Sequence, residues 1–311
     1  MKILITGSSG QLAKELKRIV GNYQYDFVFV GRKEVNLLDQ NSTLNLIKSI
    51  QPSHIIHTAA KVGGINFNIS QNYQMLDYNL SLDLNVINAA QRFHVNNFIY
   101  YSSSCVYPLS ALQPFETQYL GYGDFEPSNE FYAIAKSTIT KLLQGIDADS
   151  NKNFKTLVLS NLYGVNDNFN DNESHVLASA FKKIFVGKKV EIDFVDIWGD
   201  GTSRREFTLA ADVAKFTLES LPIIHTFPSI LNLGTGVDYS ITEIYETIGK
   251  VLGYKGSFRY SLNLPNGVRT KLMNSEVANN QFGWNPEKDL LKGIRRELGD
   301  KVFDSIDSRD L

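Results

Sequence analysis

The sequence is poor in cysteine, in excess charge of either sign and in long apolar runs, and each scarcity argues against a class of protein. Its 311 residues include one cysteine, Cys105, so no intramolecular disulfide can form, which favours a reducing compartment. The formal net charge of -2 argues against nucleic acid or an anionic membrane as the main partner. No apolar run approaches the roughly 18 residues that a membrane helix needs. We therefore expect a soluble cytoplasmic protein.

Histidine is scarce as well, and its spacing is not that of a metal-ligand set. The five histidines are His54, His57, His94, His175 and His225. The first residues, MKILITG, are interrupted by glycine too early to form the apolar core of a signal peptide. We therefore expect neither a bound metal nor secretion.

The first half of the chain alternates short apolar runs with amphipathic stretches. The predicted strands are Lys2–Thr6, Phe27–Val30, His54–Thr58, Phe98–Ser102 and Lys155–Ser160. Runs that are apolar nearly throughout are typical of parallel strands buried on both faces. The intervening stretches LAKELKRIV, STLNLIKSI, LDLNVINAAQRF and YAIAKSTITKLLQGI have helical spacing, with Ser42 and Asn129 as candidate N-caps. This alternation predicts an α/β fold with a doubly wound (Rossmann) parallel sheet.

The alternation loosens after about residue 165, where a mixed segment follows with predicted helices at His175–Phe185 and Thr242–Leu252. We therefore predict two domains. Residues 1–165 form the Rossmann domain, and residues 166–311 form a smaller α/β lobe that binds the substrate. Some strands and helices of the second part are expected to return to the first.

A glycine loop, GSSGQLA, follows the first strand and opens the first helix. Gly7 allows the tight turn, Gly10 lets the backbone approach a pyrophosphate, and the small Ala13 permits close packing of helix on strand. The order strand, loop, helix predicts a dinucleotide site, although a purely structural turn has the same pattern. The other loop residues expected at the cofactor are Ser9, Gln11 and Leu12.

The end of the second strand indicates which dinucleotide binds. An NAD site usually has an acid there for the ribose 2′-hydroxyl, but this chain has Arg32 and Lys33, with no acid before Glu34. Two cations would attract a 2′-phosphate, so we predict NADP (NADPH) as the cofactor. The alternative is that both cations are simply solvated. Further cofactor contacts are expected from Asp39, toward the adenine amine, and from Ala59, Ala60 and Lys61, along the cofactor channel.

The segment EFYAIAK has Tyr132 and Lys136 four residues apart, on one face of a helix. A phenol with a pKa near ~10 is a poor acid–base group at neutral pH. A nearby ammonium would lower that pKa, so that the pair could exchange protons with a carbonyl or an alcohol. The alternative is a packed tyrosine beside a lysine whose amine reaches solvent.

Seven further segments carry a resemblance that spans nearly the whole chain. They are AAKVGGI (59–65), SSCVYP (103–108), EPSNEFYAIAK (126–136), NLYGVNDNF (161–169), SHV (174–176), WGDGTSRREF (198–207) and NLGTGVDYSI (232–241). Together they resemble the extended short-chain dehydrogenase/reductase family and, within it, the GDP-L-fucose synthase subfamily. AAKVGGI and SSCVYP are specific to that subfamily.

The resemblance implies NADPH-dependent reduction of the 4-keto group of a GDP-linked 4-keto-6-deoxy sugar, preceded by epimerisation at carbons 3 and 5, in a homodimer. The implied catalytic residues are Ser103, Tyr132 and Lys136 for reduction, and Cys105 and His175 for epimerisation. The implied further cofactor contacts are Tyr132, Lys136, Asn161, Leu162 and His175. The implied substrate contacts are Ser103, Ser104, Cys105, Asn161, Lys183, Trp198, Arg205 and Lys271.

The chain departs from the family pattern where the phosphates and the sugar are expected. Ser9 replaces a family arginine in the glycine loop, Lys183 replaces an arginine that could grip the diphosphate with two bonds, and Ala178 replaces a proline. Such changes around an intact Ser103, Tyr132 and Lys136 suggest a modified sugar, such as a 4-keto-6-deoxy-heptose. Two alternatives are a C4-reductase without epimerase activity and a non-catalytic NADP-sensing regulator, and a sensor would need none of the three residues.

Overall fold

The computed structural model describes residues 1–170, 173–264 and 267–298. The last part of the predicted substrate lobe, 299–311, lies outside the described residues. The strands are β1 Lys2–Thr6, β2 Asp26–Val30, β3 His54–His57, β4 Asn97–Ser103, β5 Asn153–Leu159, β6 Asn161–Tyr163, β7 Phe194–Trp198, β8 Arg204–Leu209, β9 Ile230–Leu233, β10 Asp238–Ser240, β11 Ser257–Ser261 and β12 Thr270–Lys271. The helices are α1 Gln11–Ile19, α2 Gln40–Ile50, α3 Ile65–Ser70, α4 Asn72–Arg92, α5 Glu130–Asp149, α6 Val176–Lys189, α7 Ala210–Ser220, α8 Ile241–Leu252, α9 Glu276–Phe282 and α10 Leu290–Glu297.

The main sheet has six strands in the order β2-β1-β3-β4-β5-β9, and every neighbouring pair is parallel. The chain runs outward from β1 in one direction to β2 and in the other direction to β3. In open α/β sheets a ligand binds outside the carboxyl ends of the strands at such a switch point. The predicted α/β fold with a doubly wound parallel sheet is confirmed.

Helices cover both faces of this sheet with their apolar sides. Neighbouring residues of a strand point to opposite faces, so each strand contributes to both cores. Ile3 and Ile5 of β1 belong to one core, together with residues of α1 and α7 such as Leu16 and Val213. Leu4 belongs to a second core, with the buried apolar faces of α2, α4 and α5. Burial on both faces explains why the strands are apolar nearly throughout.

A third core lies in the second half of the chain, where α6, α8 and α10 pack with β7 and β8 around Phe181, Ile197 and Ile248. Strand β9 comes from the same half but pairs with β5 in the main sheet. The division at residue 165 stays a prediction. Across the residues that the structure describes, no helix is long and apolar enough to cross a bilayer.

The prediction that Ser42 caps the second helix is wrong. Helix α2 begins at Gln40, and the cap is Asp39, whose side chain accepts a hydrogen bond from the backbone N–H of Ser42 at 2.7 Å. Asp39 directly precedes the first turn of the helix, so its short side chain can reach the free backbone amide of Ser42. Asn129 does lie at the N-cap position of α5, but its side chain makes no bond to that helix.

Gly7 is required by the contact between the loops after β1 and β3. Its φ is +73°, and a Cβ there would lie 2.7 Å from the Cα and the N of Ala59. We expect Gly7→Ala to lower the free energy of unfolding by the roughly 1–2 kcal/mol of a left-handed residue, plus about 1–3 kcal/mol for the overlap. The matched control is Gly283→Ala, with φ +72° and no atom within 4 Å of the added Cβ. Equal losses in urea denaturation would contradict this reading.

Candidate active site

A cavity of about 590 Å³ opens at the carboxyl ends of the main-sheet strands, between the sheet and α6, β8 and β12. Its lining includes many of the predicted site residues. These are Gly10, Gln11, Leu12, Ala60, Ser103, Ser104, Cys105, Tyr132, Lys136, Asn161, Leu162, His175, Lys183, Trp198, Arg205 and Lys271. Residues from both halves of the chain, far apart in sequence, therefore meet in one place.

Six predicted cofactor residues do not line this cavity: Gly7, Ser9, Arg32, Asp39, Ala59 and Lys61. Gly7 and Ala59 form the loop contact described above, and Ser9 is exposed. The Asp39 carboxylate caps α2, and the Lys61 amine donates to Gln71 Oε1 at 3.0 Å. Cofactor contacts by these residues stay predictions.

The start of α1 fits an anionic pyrophosphate. Gly10 is the N-cap and has no side chain to occupy the free backbone amides of the first turn, and Gly10, Gln11 and Leu12 all line the cavity. Those amides and the helix dipole together favour a negative charge. The side-chain nitrogen of Gln11 is buried without a hydrogen-bond partner, which leaves a further donor at the same place. These residues fit the phosphates of a dinucleotide.

The end of β2 lies directly beside the glycine loop, since the N–H of Ser8 donates to the carbonyl of Val30 at 3.0 Å. The Glu34 carboxylate turns back and accepts from the N–H of Gly31 at 2.7 Å. Arg32 and Lys33 are both exposed at this edge. An exposed pair of cations beside a phosphate loop fits the 2′-phosphate of NADP.

Helix α5 carries Tyr132 and Lys136 into the cavity. The ammonium of Lys136, which is 3% exposed, donates to the carbonyl of Tyr101 at 3.1 Å. Burial raises the pKa of the Tyr132 phenol well above its ordinary value, and Cys105 and Asp83 add to the effect. The sequence had predicted a lowered pKa. Loss of solvent is the largest cause of this rise, so the phenol rests protonated and can donate.

Cys105 lies in a short 3-10 turn, Ser104–Val106, directly after β4. Its thiol donates to Ser103 Oγ at 2.9 Å. Burial raises the pKa of this thiol, and the charge of Lys271 and the hydrogen bond with Ser103 oppose the rise. His175 precedes α6, is exposed and lines the cavity, and loss of part of its contact with water lowers its pKa. Both groups therefore rest uncharged at neutral pH.

Cations gather on the other wall of the cavity. Arg205 of β8 and Lys271 of β12 are partners in the parallel ladder. Because burial leaves the Arg205 guanidinium and the Lys271 amine poorly solvated, the pKa of each is lowered. Lys183 adds a third cation, with its amine 4.9 Å from the Trp198 ring centroid. Poorly solvated cations gain strongly from an anion, so this wall suits a diphosphate.

Sequence reasoning did not assign two groups of residues at the cavity. Glu126, Asn129 and Asn68 line it, and the Asn68 amide donates to Asn129 Oδ1 at 2.5 Å. Asp83 and His57 lie beneath Lys136 in the interior. The available signal for Asp83 was an acid in the mostly apolar stripe of α4, which also contains the buried Asn79.

Comparisons with known proteins show which family the chain resembles. Residues 3–234 match the NAD dependent epimerase/dehydratase family. GDP-L-colitose synthase of Yersinia pseudotuberculosis is 37% identical over 297 residues, which are 95% of this chain and 96% of that protein. GDP-L-fucose synthase of Azorhizobium caulinodans is 37% identical over 294 residues, 94% of each chain. A GDP-mannoheptose C4 reductase from Campylobacter jejuni with NADP bound is similar in structure, with a TM-score of 0.85, 25% identity and coverage of 98% of this chain and 97% of that chain.

The charge of Lys271 should control the reactivity of the single thiol. In Lys271→Gln the pKa of Cys105 should rise by about one unit or more, the effect of losing a nearby opposite charge. Alkylation by iodoacetamide at mildly alkaline pH should then slow about tenfold, because only the thiolate reacts. Mass spectrometry of the intact protein follows the single site. Lys183→Gln removes another cavity cation as the control, and equal slowing in both variants would contradict a specific role of Lys271.

Proposed function

The chain belongs to the NAD dependent epimerase/dehydratase family, and from that premise we propose that it reduces the 4-keto group of a GDP-linked 4-keto-6-deoxy sugar with NADPH. Epimerisation at carbons 3 and 5 precedes the reduction. The observation that carries this proposal is one cavity lined by Ser103, Tyr132 and Lys136 together with Cys105 and His175. Reduction needs the first three residues and epimerisation the last two.

The cofactor is NADPH, which supplies a hydride to the carbonyl carbon when it is bound. The start of α1 and the exposed Arg32 and Lys33 hold its phosphates. The Campylobacter reductase has NADP bound, which supports the choice. Asn161 and Leu162, which also line the cavity, contact the cofactor.

Tyr132 is the proton donor in the reduction, and the protonated state of its buried phenol suits that task. Ser103 donates a hydrogen bond to the same carbonyl oxygen and so polarises it. Lys136, which lines the same cavity, stabilises with its charge the phenolate that remains after the proton has left. The protein supplies in this way the proton and the charge that a developing alkoxide requires.

Cys105 and His175 carry out the epimerisation. A ketone makes the hydrogens on its neighbouring carbons acidic, so a thiol and an imidazole can exchange them near neutral pH. One group removes a proton from one face, and the other delivers a proton to the opposite face. The bond from the thiol to Ser103 links the epimerisation group to the reduction group.

Arg205, Lys271 and Lys183 bind the diphosphate, and Trp198 packs against the nucleotide side of the substrate. The two relatives at 37% identity are named GDP-L-colitose synthase and GDP-L-fucose synthase, which supports GDP as the nucleotide. Ser104 and Asn161 complete the contacts to the sugar.

A second candidate function is reduction at carbon 4 without epimerisation, on a heptose. The observation in its favour is the C4 reductase for a GDP-linked heptose among the similar structures. Lys183, which departs from the family pattern, lies in α6 and lines the cavity, and Ala178 is buried in the same helix. A longer sugar would need such an altered wall.

We also propose that the protein is a cytoplasmic homodimer. The single free cysteine supports a reducing compartment. Exposed apolar side chains on α4 and α5, namely Tyr73, Leu84 and Leu142, support an interface at these helices. Sedimentation equilibrium would give twice the mass of the chain for a dimer, and the mass of a single chain would overturn this proposal.

The role of Tyr132 is tested by removing its hydroxyl. Tyr132→Phe keeps the ring, so NADPH binding should persist while turnover with GDP-4-keto-6-deoxy-mannose falls by ~10²–10⁴, the usual contribution of a general acid. The control is Tyr122→Phe, at an exposed tyrosine outside the cavity, which should turn over like the unmutated protein. Turnover of Tyr132→Phe equal to that of the control would contradict the assignment.

Deuterium incorporation separates the two candidate functions. The unmutated protein in deuterated water should give a product that carries deuterium at carbons 3 and 5. Cys105→Ser should abolish that incorporation, because a hydroxyl is a far weaker acid and base than a thiol, yet it should still reduce carbon 4. NMR of the product measures both. Absence of deuterium from both carbons with the unmutated protein would leave the C4-reductase and exclude the epimerase.

A further inference from the structure

A buried carboxylate lies beneath the cavity, on a helix that carries none of the residues assigned above. Asp83 of α4 is 0% exposed and belongs to the stripe that contains Leu82, Val86 and Ile87. An uncompensated charge in such surroundings is strongly unfavourable, so a carboxylate is kept there only with partners. The side chains that contact Asp83 therefore indicate its role.

Three side chains surround the Asp83 carboxylate. His57 Nε2 lies 2.9 Å from Oδ1, the Tyr100 hydroxyl donates to Oδ2 at 2.5 Å, and the Lys136 amine lies 3.9 Å from Oδ2. Burial alone would raise the pKa of Asp83, but the charge of Lys136 and the bonds from His57 and Tyr100 together lower it. Asp83 is therefore an anion inside the core.

Burial also disfavours the positive charge of Lys136. Its amine is almost fully buried, where it donates to the carbonyl of Tyr101 at 3.1 Å and lies 4.2 Å from the ring centroid of Tyr100. The carbonyl and the ring offer only partial negative charge. Burial lowers the pKa of Lys136, while Asp83 and, more weakly, Cys105 oppose that change.

The network continues away from the lysine toward the phosphate loop. Thr6 Oγ1 lies 2.7 Å from His57 Nδ1, and both contacts of the ring are satisfied when Nε2 carries a hydrogen for Asp83 and Nδ1 accepts from Thr6. Thr6 is the last residue of β1, directly before Gly7. His57 is thus held at both ring nitrogens, which fixes the carboxylate that it contacts.

We propose that Asp83 is a positioning residue that keeps Lys136 charged beneath Tyr132, with His57 and Thr6 holding the carboxylate in place. The inference rests on the proposed reduction, in which the lysine charge stabilises the Tyr132 phenolate. Asp83 does not line the cavity, and it acts on the reaction through Lys136 and through the effect of its charge on Tyr132. The ionisable groups that face the pair from all sides are His57, Tyr100, Tyr132 and Cys105.

Loss of the carboxylate should make the enzyme fail earlier as pH rises. Without Asp83, burial of Lys136 is no longer opposed, so the amine releases its proton at lower pH. The charge of Asp83 also helps to raise the pKa of Tyr132. Without it, and as long as the Lys136 amine keeps its proton, the phenol ionises at lower pH. Both routes move the alkaline limit of reduction in the same direction.

The test is Asp83→Asn in the full chain, with two readouts. The first is an NMR titration of the Lys136 side chain in ¹³C-lysine-labelled protein without cofactor or substrate, assigned by comparison with Lys136→Gln. The second is the pH profile of kcat for NADPH oxidation with GDP-4-keto-6-deoxy-mannose. We expect both midpoints to fall by ~1–3 pH units, the effect of removing an opposite charge at this distance. Asp83→Glu keeps the negative charge, so both midpoints in that variant should lie close to those of the unmutated protein.

Val86→Ala is the control for loss of packing, because Val86 is buried in the same helix and carries no charge. It should lower stability and leave both midpoints unchanged. Midpoints in Asp83→Asn equal to those of the unmutated protein would overturn the proposal. If Asp83→Asn does not fold, the unmutated protein decides: a Lys136 that is charged at neutral pH supports the proposal, and a neutral amine overturns it. Because the titration uses no substrate, it stands even if the unmutated protein fails to oxidise NADPH, a result that would refute the proposed reaction instead.

Discussion

The active site depends on one electrostatic constraint, which is to keep the ammonium of Lys136 charged in the interior of the protein. Burial next to the sheet places the lysine in the wall of the cavity that Tyr132 also lines, but it also removes the water that would stabilise its charge. The carbonyl of Tyr101, the ring of Tyr100 and the carboxylate of Asp83 replace that water. Strand β4 and helices α4 and α5 must therefore pack in this arrangement, and the buried apolar core that they share fixes it.

In the rest of the cavity, uncharged groups and positively charged groups lie in different places. The candidate acid–base groups in the middle, Tyr132, Cys105 and His175, rest uncharged because loss of contact with water disfavours their ionised forms. Fixed positive charge lies at the edges, at Arg205 and Lys271 on one wall and at the start of α1 on the other. A substrate with a diphosphate and a cofactor with a pyrophosphate would be oriented from both ends, which leaves the neutral carbonyl in the middle.

Much of the fold could be predicted because strands buried on both faces must be apolar nearly throughout, as Lys2–Thr6 and His54–His57 are. The glycine loop and the Tyr132–Lys136 pair were also accessible, since each depends on spacing within one element. The pKa of Tyr132 was predicted in the wrong direction because the extent of burial depends on tertiary packing. Asp83 was missed for the same reason: its partners come from α5, β3 and β4, and no local pattern joins them.

The central claim is that this cavity transfers a hydride to carbon 4 of a GDP-linked 4-keto-6-deoxy sugar. The most direct measurement is incubation of the unmutated protein with GDP-4-keto-6-deoxy-mannose and NADPH deuterated at the transferable position, followed by NMR of the sugar. We predict one deuterium at carbon 4 for each NADPH oxidised. Oxidation of NADPH without deuterium at carbon 4, or no oxidation with either this sugar or its heptose counterpart, would contradict the account.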